Sequence, residues 1–114
     1  MILELPYPPS TNHNAYWGQV GHRRYLTTKA KAFRADVAKA VRLREGFQIP
    51  IAMTVELYPA DRRRRDIDNP IKALLDALQH AGAIADDSLV AKLTVTRREV
   101  VKGGKCVVSL EALP

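Results

Sequence analysis

Residues 51–82 read IAMTVELYPADRRRRDIDNPIKALLDALQHAG, and this stretch decides the fold. From Ile51 to Tyr58 the side chains alternate in character, the period of a strand with one buried face. Pro59, Ala60 and Asp61 end that strand. Pro70 suits the start of a helix, where an amide donor would have no partner in any case. Asp68 or Asn69 is the natural N-cap. Ile71, Leu74, Leu75 and Leu78 recur at helical spacing as a buried stripe, and Gly82 closes the helix.

Working outward, Ile2 to Leu5 is a short strand stopped by Pro6, Pro8 and Pro9, which lack amide donors and bias their predecessors away from helix. Ser10 to Leu26 reads as a long polar and aromatic loop containing Asn12, His13, Asn14, Tyr16, Trp17, Arg23, Arg24 and Tyr25. Loops of that length are usually functional or mobile. Thr27 or Thr28 caps a helix running to about Glu45, with Ala30, Phe33, Val37, Ala40, Val41 and Leu43 as its apolar stripe. Lys29, Lys31, Arg34, Lys39, Arg42 and Arg44 form its solvated basic face, and Gly46 is the stop signal. Leu89 to Val101 and Cys106 to Leu110 read as two further strands, joined at Gly103-Gly104 by the positive φ angles of a tight hairpin turn. The expected fold class is α/β or α+β: one small sheet with two helices on one face.

The chain has 114 residues, 46% of them hydrophobic, which predicts a single globular domain over residues 1–114 with a modest core. The net charge is +6 and the pI about 9.8. That balance favours a polyanionic partner such as nucleic acid. Cys106 is the only cysteine. No internal disulfide can form, and its alternating apolar setting marks it as a buried strand residue rather than a nucleophile. The N-terminal residues show neither a basic leader nor a long apolar segment, and no apolar run nears the roughly 20 residues of a membrane span. A cytoplasmic location and no membrane partner are expected.

Against this basic background, six of the twelve acids fall between Asp61 and Asp87. Carboxylates gathered in a basic protein suit a cation, and a cation beside arginines suits a phosphate substrate. Asp66 and Asp68, two apart in extended backbone, point to one side and can converge on one ion. Of the adjacent Asp86 and Asp87, only one can face the same way. Without a Cys/His pattern, an HExxH or a glycine-rich phosphate loop, a hard ion such as Mg²⁺ is expected, held by carboxylate, water and phosphate oxygens. Lys72 and Asp76, four apart on the second helix, can pair on its surface. Lys72 lies in the first helical turn, close to the acids, where a cation can stabilise charge on a phosphate. Arg62, Arg63, Arg64 and Arg65 supply planar phosphate recognition, with Arg23 and Arg24 as further candidate DNA contacts. Together these features predict metal-assisted phosphodiester hydrolysis.

DRRRRDIDNPIKALLDAL, then AGAIADDSLV and KGGK, together with the N-terminal LPYPPSTN, resembles the RusA family of Holliday junction resolvases along essentially the whole chain. The sequence departs at Pro70, where a larger apolar residue is usual in the family. The resemblance implies a RusA-like small mixed sheet and metal-binding carboxylates at Asp66, Asp68 and Asp87. It implies a catalytic lysine at Lys72. From the residues themselves, Asp86 and Asp76 stand as secondary candidates. The resemblance further implies a Mg²⁺-dependent homodimeric endonuclease, Mn²⁺ substituting, that nicks branched DNA symmetrically in recombination and repair. Tyr16, Trp17 and Tyr25 are placed either to stack on bases or to pack against the protein. Two other readings compete: a binding module that has lost catalysis, and a related nuclease acting on flaps, forks or RNA.

Overall fold

The structure, a computed structural model, describes residues 1–10, 15–42 and 44–114. Asn12, His13, Asn14 and Leu43, named above, lie outside the described residues. The elements in order are β1 (Ile2–Leu5), β2 (Trp17–Val20), β3 (Arg23–Leu26), α1 (Thr28–Val41), β4 (Ile51–Tyr58), α2 (Asn69–His80), a 3₁₀ turn (Asp87–Leu89), β5 (Val90–Arg97) and β6 (Lys105–Ala112). The expected mixed α+β class is what forms. Four strands make one mixed sheet in the order β1-β6-β4-β5, and β2 and β3 make a separate two-stranded sheet.

The core follows from alternation along β4. Ile51, Met53, Val55 and Leu57 are all buried, while the residues between them are half-buried or exposed. Register carries that face across the sheet: Met53 stands opposite Leu110, Val55 opposite Val108, and Leu57 opposite Cys106. Leu3 and Leu5 of β1 extend the same rows. Both helices cover this face, α1 through Phe33, Val37 and Val41 and α2 through Ile71, Leu74 and Leu78. Each fully buried Leu, Ile or Phe contributes about 1.5–3 kcal/mol of transfer free energy. Cys106 lies in this core as a strand residue, and burial pushes its thiol up to about 12.

Three local readings change. Residues 17–26 are not an unstructured loop but the hairpin β2–β3. Its two-residue turn has Gly21 at φ +60° in the first central position, the geometry that matches the twist of antiparallel strands. The signal lay in Gly21, flanked by strands too short to show a period. The Gly103-Gly104 turn has the expected positive φ at both residues, +83° and +69°, but does not close a hairpin. β5 runs parallel to β4 on one edge and β6 antiparallel to it on the other. The connection therefore crosses the end of β4, where the Arg98 amide donates to the Leu57 carbonyl at 2.8 Å and the Val101 amide to the Pro59 carbonyl at 2.9 Å. Finally, α1 starts where expected, the Thr27 hydroxyl accepting from the Ala30 amide at 3.2 Å. It ends at Val41, because Arg42 takes φ +42° while its amide still reaches the Ala38 carbonyl.

Gly46 has a different task from stopping a helix. A Cβ on it would stand 1.9 Å from the Gly82 carbonyl oxygen. That close approach lets Phe47 pair with the segment after α2: its amide donates to the Ala83 carbonyl at 2.9 Å and its carbonyl accepts from Ala85 at 3.0 Å. The chain leading to Asp86 and Asp87 is thereby pinned. Gly46→Ala is expected to lower the unfolding free energy by about 1–3 kcal/mol, the range for forced overpacking, in urea denaturation. An unchanged midpoint would contradict the close approach.

Candidate active site

The arginine block divides into two kinds. Arg65 is half-buried: its Nη1 donates to Asp61 Oδ1 at 2.7 Å and to the Asp61 carbonyl at 3.1 Å, and its guanidinium lies 5.9 Å from the centre of the Tyr7 ring. Its own carbonyl accepts from Arg97 Nη2 at 2.6 Å. Arg63 reaches the same acid through its amide at 2.9 Å and its Nε at 3.2 Å, with most of its side chain in solvent. Arg62 and Arg64 are exposed and make no ion pair among the described residues. Asp61 thus ties the loop together, while Arg62 and Arg64 present unpaired charge.

A groove of about 870 Å³ runs beside this loop, lined by Tyr7, Lys29, Arg63, Arg64, Arg65 and Asp66 among others. Asp66 is exposed, with the Asn69 Nδ2 at 3.4 Å from its Oδ2. Asp68 caps α2 with helical dihedrals, φ −84° and ψ −25°, and its side chain makes no capping hydrogen bond. Residues 67 and 68 are therefore bent, so strand alternation does not set where Asp66 and Asp68 point. Pro70 falls in the first turn of α2, as its chemistry requires.

Asp86 and Asp87 lie in a 3₁₀ turn rather than a strand, and the turn separates their roles. Asp86 is the N-cap: its carboxylate accepts from the Ser88 hydroxyl and from the Ser88 amide, the latter at 2.9 Å. Those bonds lower its pKa. Asp87 is anchored through its amide, which donates to Gln79 Oε1 of α2 at 2.9 Å. It lines a cavity of about 210 Å³ with Lys72, Asp76, Trp17 and Arg24. The structure thus brings Lys72 and Asp87 to one cavity and places Asp66 in the groove beside the arginine loop, while Asp68 lines neither.

Asp76 does not pair with Lys72. It faces α1, accepting from Arg34 Nη2 at 2.7 Å and Arg34 Nε at 3.0 Å, and from the Tyr16 hydroxyl. Arg34 Nε also donates to the Tyr16 hydroxyl at 3.2 Å. Arg34 therefore leaves the solvated basic face assigned to it, with a side chain only 18% exposed. Tyr16 is wholly buried, packed with Ala30 and Ala73, and its phenol is pushed up to about 12 by desolvation and by the Asp76 hydrogen bond. Sequence reading missed this tie because its three members are far apart in the chain and each looks like a surface or loop residue alone. Of the aromatic residues, Tyr16 packs inside, Trp17 is half-buried edge-on to it, and Tyr25 is 49% exposed across Gly18.

Asp66, Asp68 and Asp87 offer exposed carboxylate oxygens, a donor set that suits a hard divalent cation. Among the described residues no three His, Cys, Asp or Glu side chains stand close enough to hold a metal ion as one group. The ligand chemistry fits the ion.

A mixed α+β protein with acids at a helix start, a lysine one turn on and unpaired arginines alongside has the residue types of a phosphate-handling site. The comparisons specify which kind. The model of the family described as Endodeoxyribonuclease RusA matches residues 6–111. A crossover junction endodeoxyribonuclease RusA from Escherichia coli O139:H28 is 36% identical over 114 residues, covering 97% of this chain and 93% of its own length. Proteins of the same name from Escherichia coli K12 and from Enterobacteria phage 82 are each 37% identical over 106 residues, covering 90% of this chain and 87% of their own length. The chain belongs to the RusA family of endodeoxyribonucleases, enzymes that hydrolyse phosphodiester bonds.

The Arg65 side chain and the Arg63 amide hold the Asp61 carboxyl down at about 2. A depressed carboxylate stabilises the fold above its unfolded pKa of about 3.9 and loses that contribution as pH falls through the folded value. The expected outcome is that the Asp61 carboxyl carbon, followed by NMR, titrates near pH 2 in the wild type and at a higher pH in Arg65→Ala, still held below the free carboxylate value by the Arg63 amide. Titration near pH 4 in both would remove the Asp61–Arg65 tie.

Proposed function

We propose that the chain is a Mg²⁺-dependent, structure-selective endodeoxyribonuclease that resolves four-way (Holliday) DNA junctions by paired symmetric nicks in recombination and repair. The observation that carries this reading is the family match over residues 6–111, to relatives named crossover junction endodeoxyribonucleases. Asp66, Asp68, Lys72 and Asp87 all fall in that matched span. Mn²⁺ would substitute for Mg²⁺, and the setting would be the cytoplasm; no helix among the described residues is long and apolar enough to cross a membrane.

Asp66, Asp68 and Asp87 would hold the divalent cation, which when bound neutralises phosphate charge and lowers the pKa of a bound water. Lys72, exposed and without an ion pair among the described residues, would stabilise the negative charge that grows on the phosphate during in-line attack. Hydrolysis forms a bond from the water oxygen to phosphorus and breaks the bond to the 3′ oxygen, which leaves as a hydroxyl after taking a proton. Ends of that kind can be ligated. Arg62 and Arg64 would bind backbone phosphates, with Arg23 from the hairpin, while Arg63 and Arg65 would shape the loop that carries them. A homodimer would set two such sites against a junction of approximate two-fold symmetry.

Asp68→Asn is expected to abolish cleavage of a synthetic four-way junction in Mg²⁺ while leaving junction binding intact. A variant that cuts near the wild-type rate would remove Asp68 from the metal set, and equal wild-type cutting of junction, duplex and flap DNA would defeat junction selectivity. Arg64→Ala is expected to reduce the slope of log binding constant against log salt by about 1, one phosphate contact. An unchanged slope would return Arg64 to the solvated loop.

A further inference from the structure

The hairpin β2–β3 adds a wall to the cavity that holds Lys72 and Asp87. Alternation separates its side chains. Leu26 pairs with Trp17 and Arg24 with Gln19, so Trp17, Gln19, Arg24 and Leu26 share one face. Arg23, Tyr25, Gly18 and Val20 occupy the other. The two adjacent arginines of β3 therefore point in opposite directions. Only Arg24 lines the cavity, together with Trp17, Lys72 and Asp87.

Arg24 is also held in place. Its guanidinium carbon lies 4.6 Å from the centre of the Trp17 ring. Stacking on an indole face fixes the plane of a guanidinium and leaves its edge N–H groups free to donate. Arg24 makes no ion pair among the described residues. Trp17 in turn follows Tyr16, whose hydroxyl is bound by Asp76 of α2 and Arg34 of α1. At the hairpin base the Thr27 hydroxyl donates to the Ala15 carbonyl at 2.7 Å and the Thr27 amide to the Tyr16 carbonyl at 3.0 Å. Asp76 lies one helical turn beyond Lys72 on α2, so the same anchor holds the hairpin beside the part of α2 that carries Lys72.

We propose that Arg24 is a catalytic residue that donates to the phosphate being cleaved, opposite Lys72, and that Trp17 positions it. This inference rests on the reading above that Lys72 and Asp87 act at the scissile phosphate. In-line attack raises the charge on a phosphodiester from −1 towards −2. Two cations on opposite walls of a small cavity meet that increase, and a pre-stacked guanidinium does so without reordering in the transition state. Arg23, on the outer face, is a binding residue only.

The test is single-turnover cleavage of a synthetic four-way junction by the full chain in saturating excess with Mg²⁺, with junction affinity measured separately without divalent ions. Arg24→Ala is expected to cut about 100-fold more slowly, the cost of one lost transition-state donor, with affinity changed less than tenfold. Free guanidinium at millimolar concentration is expected to restore part of the rate, which a merely structural role would not allow. Arg23→Ala is expected to show its loss in junction affinity. Trp17→Phe keeps the rate, and Trp17→Leu loses it with binding retained. The proposal is overturned if Arg24→Ala cuts at the wild-type rate, if its loss lies in affinity as for Arg23→Ala, or if guanidinium gives no rescue. A wild-type protein that leaves junctions uncut would instead sink the resolvase reading itself.

Discussion

Asp76 bound between Arg34 and Tyr16 is the contact on which the arrangement of the site depends. It joins α2, which carries Lys72, to α1 and to the start of the hairpin. The geometry is charge-assisted and multiply bonded, with Arg34 mostly buried. Hydrogen bonds of this type contribute more than neutral ones, and removing one partner leaves the others desolvated and unmatched. Without it, the hairpin would rest on the apolar packing of Tyr16, Trp17 and Leu26 around Ala30 and Ala73 and on the bonds of Thr27.

The charge distribution of the protein is organised by similar pairings. Asp61 consumes Arg63 and Arg65 in shaping the loop after β4, which leaves Arg62 and Arg64 to face solvent. Asp86 is occupied in capping the 3₁₀ turn, which leaves the carboxylate of Asp87 uncommitted. In each pair of neighbours, one residue builds backbone and the other is available to a ligand. Adjacent like residues in this chain are therefore not interchangeable.

Much of the fold was legible from periodicity. β1 and β4 lie where alternation puts them, α2 has Pro70 in its first turn, and α1 follows its Thr27 cap as capping chemistry requires. The hairpin β2–β3 was missed because four-residue strands are too short to show a period. The path from β5 to β6 was misread because consecutive glycines specify positive φ angles and not which strands the turn joins. β4 lies between those two strands because both of its edges offer unpaired backbone groups, which β5 satisfies in parallel and β6 antiparallel.

For the site, the sequence by itself determined the inventory: carboxylates near a helix start, a lysine one turn later, and arginines beside them. Residue type and short spacing carry that information, since chemistry and helical period are local. Only the tertiary structure decided the partners. It sent Asp76 to Arg34 instead of Lys72, split Asp86 from Asp87, and turned Arg24 towards the cavity and Arg23 away from it. Those outcomes depend on contacts between residues distant in the chain, which arise from the packing of α1, α2 and the hairpin and have no signature in local spacing.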